Sequence, residues 1–490
     1  MQVPSQMYID GRWVDAEDAE TVTVLNPANQ DVLSTVPKGG RQDARRAIDA
    51  ASEAAAKAES MTAFERSKVL LRVANLLEQN AEEMAVLIAK NVGKPIADSE
   101  AETSRGVLTL TFASEEAKRI YGQTIPLDSH PFPPGNQNRL GFTIREPIGV
   151  VGAISPFNFP LNLLLHKVAP AIAAGNTVVV KPPSDGPLPA LAIAKFFEMA
   201  GLPNGILNVV LGSGGDVGDE IVASGKVDAI SFTGDTETGR AIAEKAARTN
   251  KKVILELGGH NPLIVLDDAK LVSAVSSALA GTFSYAGQVC TATRRIILSE
   301  RVKERFLTQF EQAVGTLRVG DPLDRTTGVG PVINARSLEK IDGLVRDATE
   351  KGAKIRAGGS RISYGELANG NYYSPTIVDG VVAGMEIAQK EVFGPVSAIM
   401  EASNDDEAVE MANNTIYGLQ ASIYTSDLAR GLRLAKRVKA GAVMINDRTN
   451  LRWDNAPFGG IKRSGMGREG VSLAISELTE LKFIVANIAE

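Results

Sequence analysis

The sequence predicts an α/β fold in which short parallel strands alternate with helices. The alternation begins at Gly149, where the apolar run Val150–Ile154 precedes a helical pattern over Asn162–Ala174. The same order repeats with a strand at 177–180 and a helix at 188–200. Further strands are predicted at 207–211, 229–232 and 253–257, with helices at 217–223 and 238–247 between them. Such alternation is typical of an open parallel sheet whose strands are joined by helical crossovers.

The alternation continues after Glu256 and predicts a second α/β domain. A chain of 490 residues is too long for one hydrophobic core and is expected to divide into two or three domains. The second domain is predicted to hold strands at 263–266, 377–378 and 396–399 and helices near 269–280 and 302–314.

Composition excludes several functional classes. Apolar residues make up 44% and charged residues 22%, which is ordinary for a globular protein. The net charge of −6 argues against a nucleic-acid partner. The apolar runs are too short for a membrane helix, and the first ten residues do not resemble a signal peptide. One cysteine allows no internal disulfide and fits a reducing compartment, so we expect a cytoplasmic protein.

The N-terminal third is predicted to be mostly helical. A hairpin around Asp10-Gly11 and a strand at 22–25 come first, and helices are predicted at 41–57, 64–79, 81–91 and, as one helix or two, over 96–121. Residues 122–146 contain several prolines and read as an irregular arm or extended hairpin with a strand at 141–145. The β-rich run 481–485 is expected to pair with another strand or subunit.

Four consecutive predicted strands end in turns of glycine, proline, hydroxyl or lysine residues. These turns are 155–160, 181–184, 212–215 and 233–236. Ligands of open α/β sheets bind beyond the carboxyl ends of the strands, and the helix starting near Thr236 would offer free N–H groups to an anion. Together the turns favour a nucleotide site over ordinary turn chemistry. The dinucleotide fingerprint Gly-x-Gly-x-x-Gly is absent after the first strand, so the site is not an ordinary Rossmann site.

Two residues could carry covalent chemistry. Cys290 follows Gly287-Gln288-Val289 and is either a small buried hydrophobe or a nucleophilic thiol. Glu256 closes the apolar strand 253–257. A carboxylate there is costly unless it is solvated or paired, so Glu256 is either a surface residue at a strand end or a general base.

These features resemble the aldehyde dehydrogenase superfamily. The resemblance rests on ordered blocks spread over most of the chain: Pro-Phe-Asn-Phe-Pro at 156–160, Lys181-Pro182, Phe232-Thr233-Gly234, Glu256-Leu257-Gly258-Gly259, Gly287-Gln288-Val289-Cys290, Glu391-Val392-Phe393-Gly394-Pro395 and Pro457-Phe458-Gly459-Gly460. The family implies an aldehyde dehydrogenase-like fold. We expect an NAD(P)-binding domain at 1–121 and 147–255, a catalytic domain at 256–445, an oligomerisation arm at 122–146 and 470–490, and a segment at 446–469 that returns to line the active site. Homodimers or homotetramers are implied.

The resemblance implies a catalytic mechanism without a metal. Cys290 would attack the aldehyde carbonyl as a thiolate. The side-chain amide of Asn158 and the backbone N–H of Cys290 would hold the oxyanion, one such donor contributing about 3 kcal/mol. Glu256 would activate the water that hydrolyses the resulting thioester. NAD or NADP would contact Ile154, Ser155, Pro156, Phe157, Lys181, Ser184, Phe232, Thr233, Gly234, Asp235, Leu257, Gly258, Glu391 and Phe393.

Two positions depart from the family pattern. NAD-preferring members carry a glutamate three residues after the lysine, where this chain has Ser184; without that carboxylate to repel a 2′-phosphate, NADP should be tolerated or preferred. Asp235 replaces a common serine at the pyrophosphate turn, which requires that it point away or cap the helix at Thr236. All three histidines, His130, His166 and His260, fall outside the implied roles, and His260 is interpreted as structural.

Three arginines are candidates for substrate binding, with surface salt bridges as the alternative for each. Arg105 lies on the helix before the arm, and Arg448 and Arg452 lie in the segment before Pro457. Guanidinium groups pair well with carboxylate, phosphate or phosphonate. Phe157 and Asn446-Asp447-Arg448 resemble the lactaldehyde, non-phosphorylating glyceraldehyde-3-phosphate and phosphonoaldehyde branch, so a small hydroxylated or anionic aldehyde is expected.

Two other functions remain open at this stage. In a CoA-acylating relative the thioester would pass to coenzyme A, although that branch lacks the glutamate base that Glu256 resembles. A catalytically silent structural relative would retain the fold without the reaction, although Cys290, Glu256 and Asn158 are all present.

Overall fold

The computed structural model describes residues 3–489. The N-terminal part holds four strands and four helices before a small sheet begins. Its elements are β1 (Met7–Ile9), β2 (Arg12–Val14), β3 (Thr21–Leu25), β4 (Val32–Pro37), α1 (Arg41–Ser60), α2 (Ala63–Gln79), α3 (Ala81–Val92), α4 (Ile96–Glu116), β5 (Thr124–Ile125) and β6 (Arg139–Pro147). The predicted hairpin is present, and the pattern over 96–121 forms one helix that stops at Glu116.

The alternating part follows the predicted order closely. Its elements are β7 (Val150–Ile154), α5 (Asn162–Ala174), β8 (Thr177–Lys181), α6 (Leu188–Met199), β9 (Leu207–Val209), α7 (Asp219–Ala223), β10 (Ala229–Thr233), α8 (Thr236–Ala247) and β11 (Lys252–Glu256). One turn of π-helix at Gly214–Gly218 precedes α7, so the helix predicted at 217–223 starts later than the sequence pattern indicates.

The C-terminal half contains the remaining elements. They are β12 (Asn261–Val265), α9 (Leu271–Phe283), β13 (Thr293–Ser299), α10 (Lys303–Gly315), α11 (Ala335–Glu350), β14 (Lys354–Ala357), β15 (Thr376–Asp379), β16 (Val396–Ala402), α12 (Asp405–Asn413), β17 (Gln420–Tyr424), α13 (Leu428–Ala435), β18 (Ala442–Ile445), β19 (Gly465–Met466), α14 (Val471–Glu477) and β20 (Thr479–Asn487).

Two large sheets form the framework, as predicted. The first has the order β19-β11-β10-β7-β8-β9-β1-β2, and its five central strands, β11 to β9, are mutually parallel. The second has the order β14-β15-β16-β13-β12-β17-β18 and is parallel except for β14. Each sheet has its own large hydrophobic core, so the α/β fold with two open sheets is confirmed.

A separate three-stranded sheet joins the arm to the end of the chain. Strand β20 pairs antiparallel with β6 over its whole length, from Thr479 opposite Pro147 to Asn487 opposite Arg139. Strand β5 pairs with the other edge of β6. The run predicted at 481–485 therefore finds its partner within the same chain. Helix α14, just before β20, packs on α5 and thereby ties the arm to the first sheet.

No helix within residues 3–489 is both long enough and apolar enough to span a bilayer. The proposed domain boundaries at 121, 146, 255, 445 and 469 remain predictions.

Candidate active site

A cavity of 760 Å³ opens at the carboxyl ends of the strands in the first sheet. The turns after β7, β8, β9 and β10, which the sequence singled out, all contribute to its wall. Residues 391–393 and Cys290 come from the other half of the chain and line it as well. Every residue predicted to contact the cofactor lies on this wall: Ile154, Ser155, Pro156, Phe157, Lys181, Ser184, Phe232, Thr233, Gly234, Asp235, Leu257, Gly258, Glu391 and Phe393.

Cys290 and Asn158 line the same cavity, although they are far apart in sequence. The Asn158 amide nitrogen donates to the Gln288 carbonyl at 2.9 Å, two residues before the cysteine. Residues 285–290 form a loop, called the cysteine loop below. Asn261 holds its other side by donating to the Cys290 carbonyl at 2.8 Å. A Cβ at Gly259 would lie 2.1 Å from that carbonyl, so only glycine allows this close approach.

The Cys290 thiol is held in its neutral form. Burial raises its pKa to about 12, and the nearby carboxylates of Glu391 and Glu256 act in the same direction. Arg452 opposes the shift but does not overcome it. Because the thiolate is the nucleophile, this pKa means that the free protein at neutral pH holds the thiol in its unreactive form.

Glu256 ends β11 inside the protein and not at the surface. Its side chain is buried, and neither carboxylate oxygen has a hydrogen-bond partner among residues 3–489. Burial, and then the negative charge of Glu469, raise its pKa well above the ordinary value. A Cβ at Gly459 would lie 2.8 Å from Glu256 Oε1, so the glycine leaves room for this carboxylate. An unpaired buried carboxyl group of raised pKa suits a general base.

Glu469 is the ionised neighbour of Glu256, and no sequence pattern pointed to its role. Lys167 and Arg452 each bind one of its oxygens at 2.9 Å. Burial by itself raises the pKa of a carboxyl group, but these cations and His166 lower that of Glu469 to about 2. Lys167 also donates to Thr233 Oγ1 at 2.7 Å, which connects the ion cluster to the end of β10. A Lys–Glu pair separated by 302 residues has no local sequence signal.

Asp235 caps α8, which is one of the two placements expected for a carboxylate at the pyrophosphate turn. Its carboxylate accepts hydrogen bonds from the backbone N–H groups of Glu237 and Thr238, each at 3.0 Å. The expectation that this helix start offers free N–H groups to an anion is therefore wrong for these two groups. A carboxylate at the first turn also suits the positive end of the helix dipole.

Lys181 and Ser184 line the cavity at the end of β8. Burial lowers the pKa of Lys181 to about 8, and its amine donates to the Pro182 carbonyl at 3.0 Å. Ser184 is exposed, and its hydroxyl donates to the Gly212 carbonyl at 3.3 Å. Asp185 follows on the same wall, so a carboxylate remains close to Ser184.

Glu391 and Phe393 approach from the second half of the chain. Glu391 accepts from the Gly259 N–H at 3.1 Å, and burial raises the pKa of its carboxyl group. Phe393 meets Phe157 edge-on, with the ring centroids 5.9 Å apart, and has a positive φ of 51°. A left-handed backbone at a bulky residue costs roughly 1–3 kcal/mol, and such strain is concentrated at functional sites.

The three predicted substrate arginines do not line the 760 Å³ cavity. Arg105 is bound to Asp454 at 2.7 Å, and Nε2 of His166 lies 2.8 Å from the same oxygen. Arg452 is bound to Glu469, as described, and stacks on Phe458 with 3.9 Å between its guanidinium carbon and the ring centroid. Both ion pairs are at least partly buried, so they are not surface salt bridges, and the role of Arg105 and Arg452 in substrate binding stays a prediction.

Arg448 differs from the other two arginines. Within residues 3–489 its guanidinium forms no ion pair, and its charge acts on the buried carboxyl group of Asp98, whose pKa burial raises and Arg448 lowers. It is half-buried. Of the three, Arg448 has the least committed positive charge.

His260 is fully buried beside Tyr417, with ring centroids 6.1 Å apart, and does not line the cavity. Burial and then Arg295 and Arg294 lower its pKa well below the ordinary value, so the ring is neutral.

Several cavity residues were not among the predictions. They lie in the turns after β8 and β9, on α7 and α8, on α11, for which no helix was predicted, and between Glu391 and Phe393. They are Pro183, Asp185, Gly214, Gly215, Gly218, Asp219, Val222, Thr238, Ala241, Ile242, Ser337, Lys340 and Val392.

Comparison with known proteins finds relatives that match nearly the whole length of this chain. The profile of the Aldehyde dehydrogenase family matches residues 13–484. Succinate-semialdehyde dehydrogenase [NADP(+)] GabD of Escherichia coli (strain K12) is 41% identical over 98% of this chain and 97% of its own. Lactaldehyde dehydrogenase of Methanocaldococcus jannaschii is 40% identical over 98% of this chain and 99% of its own. Betaine aldehyde dehydrogenase from Staphylococcus aureus, solved in complex with NAD+, is 35% identical, with a TM-score of 0.96 over 100% of this chain and 96% of that one.

The pH dependence of alkylation tests the state of the thiol. With a pKa near 12, the thiolate fraction should rise about tenfold per pH unit between pH 7 and pH 10. The rate of iodoacetamide modification of Cys290, followed by mass spectrometry of the intact chain, should rise in the same way. Because the chain has one cysteine, modification that is absent in Cys290→Ala reports this site. A plateau below pH 9 would contradict the neutral thiol.

Proposed function

The chain belongs to the aldehyde dehydrogenase family, and from that premise we propose that it oxidises a small hydroxylated or anionic aldehyde to the carboxylic acid with NAD+ or NADP+. The observation that supports this most directly is that one 760 Å³ cavity has the partly exposed thiol of Cys290 at one part of its wall and glycine-rich strand ends at another. The names of the relatives agree with such a substrate, since one acts on succinate semialdehyde and another on lactaldehyde.

In the first step Cys290 attacks the aldehyde carbon. The thiol loses its proton to solvent, which reaches it because Cys290 is partly exposed on the cavity wall, although the raised pKa makes this loss unfavourable. The oxyanion that forms is held by the Cys290 N–H and by Asn158. An amide has two N–H donors, and only one is committed to the Gln288 carbonyl, so the other is available. One oxyanion donor contributes about 3 kcal/mol to lowering the barrier.

The cavity fits a dinucleotide. Gly214, Gly215, Gly218, Gly234 and Gly258 line it and allow backbone to approach a pyrophosphate, while Lys181 and Glu391 lie at different parts of its wall. A bound nicotinamide supplies the hydride acceptor for the oxidation. Loss of the hydride from the Cys290 adduct leaves a thioester on the sulfur.

Glu256 serves as the base for the second step. Glu256 acts in its ionised form: the raised pKa gives this carboxylate a higher proton affinity than an ordinary one, and within residues 3–489 its oxygens have no hydrogen-bond partner that would compete with a water. Attack of that water on the thioester breaks the carbon–sulfur bond, returns the thiol and releases the acid. This role favours hydrolysis over transfer to coenzyme A, and the buried placement of Glu256 argues against a catalytically silent protein.

Arg448 is the strongest of the three arginines for an anionic substrate. Arg105 and Arg452 already neutralise Asp454 and Glu469, so a substrate anion would compete with those carboxylates. Each keeps a buried Nε without a partner, which leaves one donor for a weaker contact. Because the Arg448 guanidinium forms no ion pair within residues 3–489, it is the strongest candidate of the three to bind a carboxylate or phosphonate.

Two exposed strands are proposed as the basis of a homodimer. The edge strand β18 of the second sheet is partly exposed along its whole length. Leu481, Phe483 and Val485 alternate along β20 and are all about half exposed. Exposed apolar edges are usually covered in native assemblies, and a second copy of this chain supplies both surfaces.

Substitution of the two catalytic candidates separates the steps. Cys290→Ala should abolish NAD(P)H formation with any aldehyde, measured at 340 nm. Glu256→Gln should give one rapid burst of NAD(P)H per active site and then turnover slowed by about 10²–10⁴-fold, because only thioester hydrolysis lacks its base. Activity that persists in Cys290→Ala contradicts the mechanism. A wild-type product that requires coenzyme A would support the acylating alternative.

A substitution at Ser184 tests the cofactor. Wild type should use both NADP+ and NAD+. Ser184→Glu should raise the KM for NADP+ by about tenfold or more through repulsion of the 2′-phosphate, with a smaller effect on NAD+. Ser184→Gln is the isosteric control without the charge. Equal effects of the two variants on both cofactors would show that Ser184 does not determine the choice.

Substrate charge tests the role of Arg448. Arg448→Ala should raise the KM for succinate semialdehyde about tenfold, the loss of a charge-assisted hydrogen bond, and leave the KM for lactaldehyde nearly unchanged. Arg301→Ala is the control, since Arg301 is an exposed arginine that is already paired with Asp267. An unchanged KM for the anionic aldehyde in Arg448→Ala would remove this assignment.

The oligomeric state tests the two exposed strands. Wild type should have at least twice the monomer mass in light scattering coupled to gel filtration. Phe483→Lys should shift it toward the monomer, because a charge would replace an apolar contact. Lys482→Ala changes the adjacent residue and should not shift the mass. A monomeric wild type would contradict the proposal.

A further inference from the structure

Arg294 is a buried cation to which the proposed chemistry assigns no role. It lies four residues after Cys290, on β13, and is 1% exposed. One terminal nitrogen donates to the backbone carbonyls of Gly287 and, at 3.2 Å, Val289. The other donates to the Gly394 carbonyl at 2.8 Å. One guanidinium therefore connects the loop before the cysteine with the segment that carries Glu391.

Both connected segments have unusual backbone. Tyr285, Ala286 and Gly287 all have positive φ, at 48°, 50° and 69°, and two of them carry side chains. Phe393 has the same left-handed backbone, one residue before Gly394. Such conformations persist only where the surroundings hold them in place.

The two segments touch through their backbones. A Cβ at Gly287 would lie 2.1 Å from the Gly394 carbonyl oxygen, so no side chain fits between them. Buried carbonyl groups need donors, and a guanidinium presents several in a rigid planar fork. Its carbon also lies 5.9 Å from the centre of the Phe393 ring. The Gly394 and Val289 carbonyls also accept backbone N–H bonds, at 2.8 and 3.0 Å, so Arg294 is a further donor to them and the side chain that bonds to both sides of this contact.

We propose that Arg294 is a positioning residue that fixes the cysteine loop against the 391–394 segment, and so aligns the carbon bound to Cys290 with the cofactor. The inference rests on the proposed function, in which Cys290 is the nucleophile and the 391–393 segment contacts the cofactor. Misplacement of reacting groups by about 1 Å can slow a reaction about 100-fold, so loss of this connection should slow the oxidation step.

Arg295 supplies a matched control. It is the next residue, is equally buried, and also donates to backbone carbonyls, those of His260, Met411 and Ala412. It makes none of these bonds to the cysteine loop or to the 391–394 segment. Removing either guanidinium takes charged donors away from buried carbonyls, so the general cost to folding is of the same kind.

Hydrogen–deuterium exchange on the cofactor-free chain is the first measurement. Arg294→Met should speed exchange in peptides that cover 285–290 and in peptides that cover 391–395. Arg295→Met should leave both regions at the wild-type rate. Faster exchange in both regions with both variants, or in neither region with Arg294→Met, would overturn the positioning role.

Single-turnover kinetics is the second measurement. Arg294→Met should slow the NAD(P)H burst about 100-fold and raise the isotope effect of a C1-deuterated aldehyde, with the Kd of the cofactor unchanged. Arg294→Lys keeps the charge but not the fork, so it should also be slow, and it carries the comparison if Arg294→Met does not fold. A wild-type burst in Arg294→Lys, or an equal slowing in Arg295→Met, would overturn the inference.

The outcomes distinguish this inference from the proposed function. If Cys290→Ala still forms NAD(P)H, the nucleophile is wrong whatever Arg294 does. If Cys290→Ala is inactive while Arg294→Lys is as fast as wild type, the proposed function stands and only the positioning role falls.

Discussion

The ion cluster around Glu469 sets the electrostatics of the whole site. Burying a carboxylate costs several kcal/mol unless cations pair with it, and here Lys167 and Arg452 each bind one of its oxygens. Burial raises the pKa of Glu256, and the ionised Glu469 raises it further because a second negative charge beside it is unfavourable. Two neighbouring buried carboxyl groups thereby acquire opposite protonation preferences, as acid–base chemistry requires. The cluster also joins α5, the segment before α14 and the first sheet.

The same burial protects the thiol. A cysteine with a pKa near 12 is almost entirely protonated at neutral pH and therefore reacts slowly with oxidants and electrophiles. Catalysis then depends on what binding brings into the cavity, because the free site has Glu391 and Glu256 near the sulfur and only Arg452 opposing them. A site of this kind gains reactivity only when it is occupied.

The tight contacts explain why glycines occupy the junction between the two halves. Gly259 meets the Cys290 carbonyl, Gly287 meets the Gly394 carbonyl, and Gly459 meets Glu256, each at a distance that excludes a Cβ. These three residues bring separate segments against the cysteine and the candidate base. The sequence blocks that carry the family resemblance contain all three. Part of the recognisable pattern is thus a requirement of packing.

The sequence by itself determined the alternating strands, the two sheets and the turns that form the cavity, because periodicity and turn residues are local signals. It also singled out Cys290, Asn158 and Glu256 as candidates. Tertiary structure alone decided that Asp235 caps its helix, that Arg105 pairs with Asp454, and which protonation states the buried groups adopt. Ion pairing and desolvation depend on distances between residues that are remote in the chain, so no local pattern encodes them.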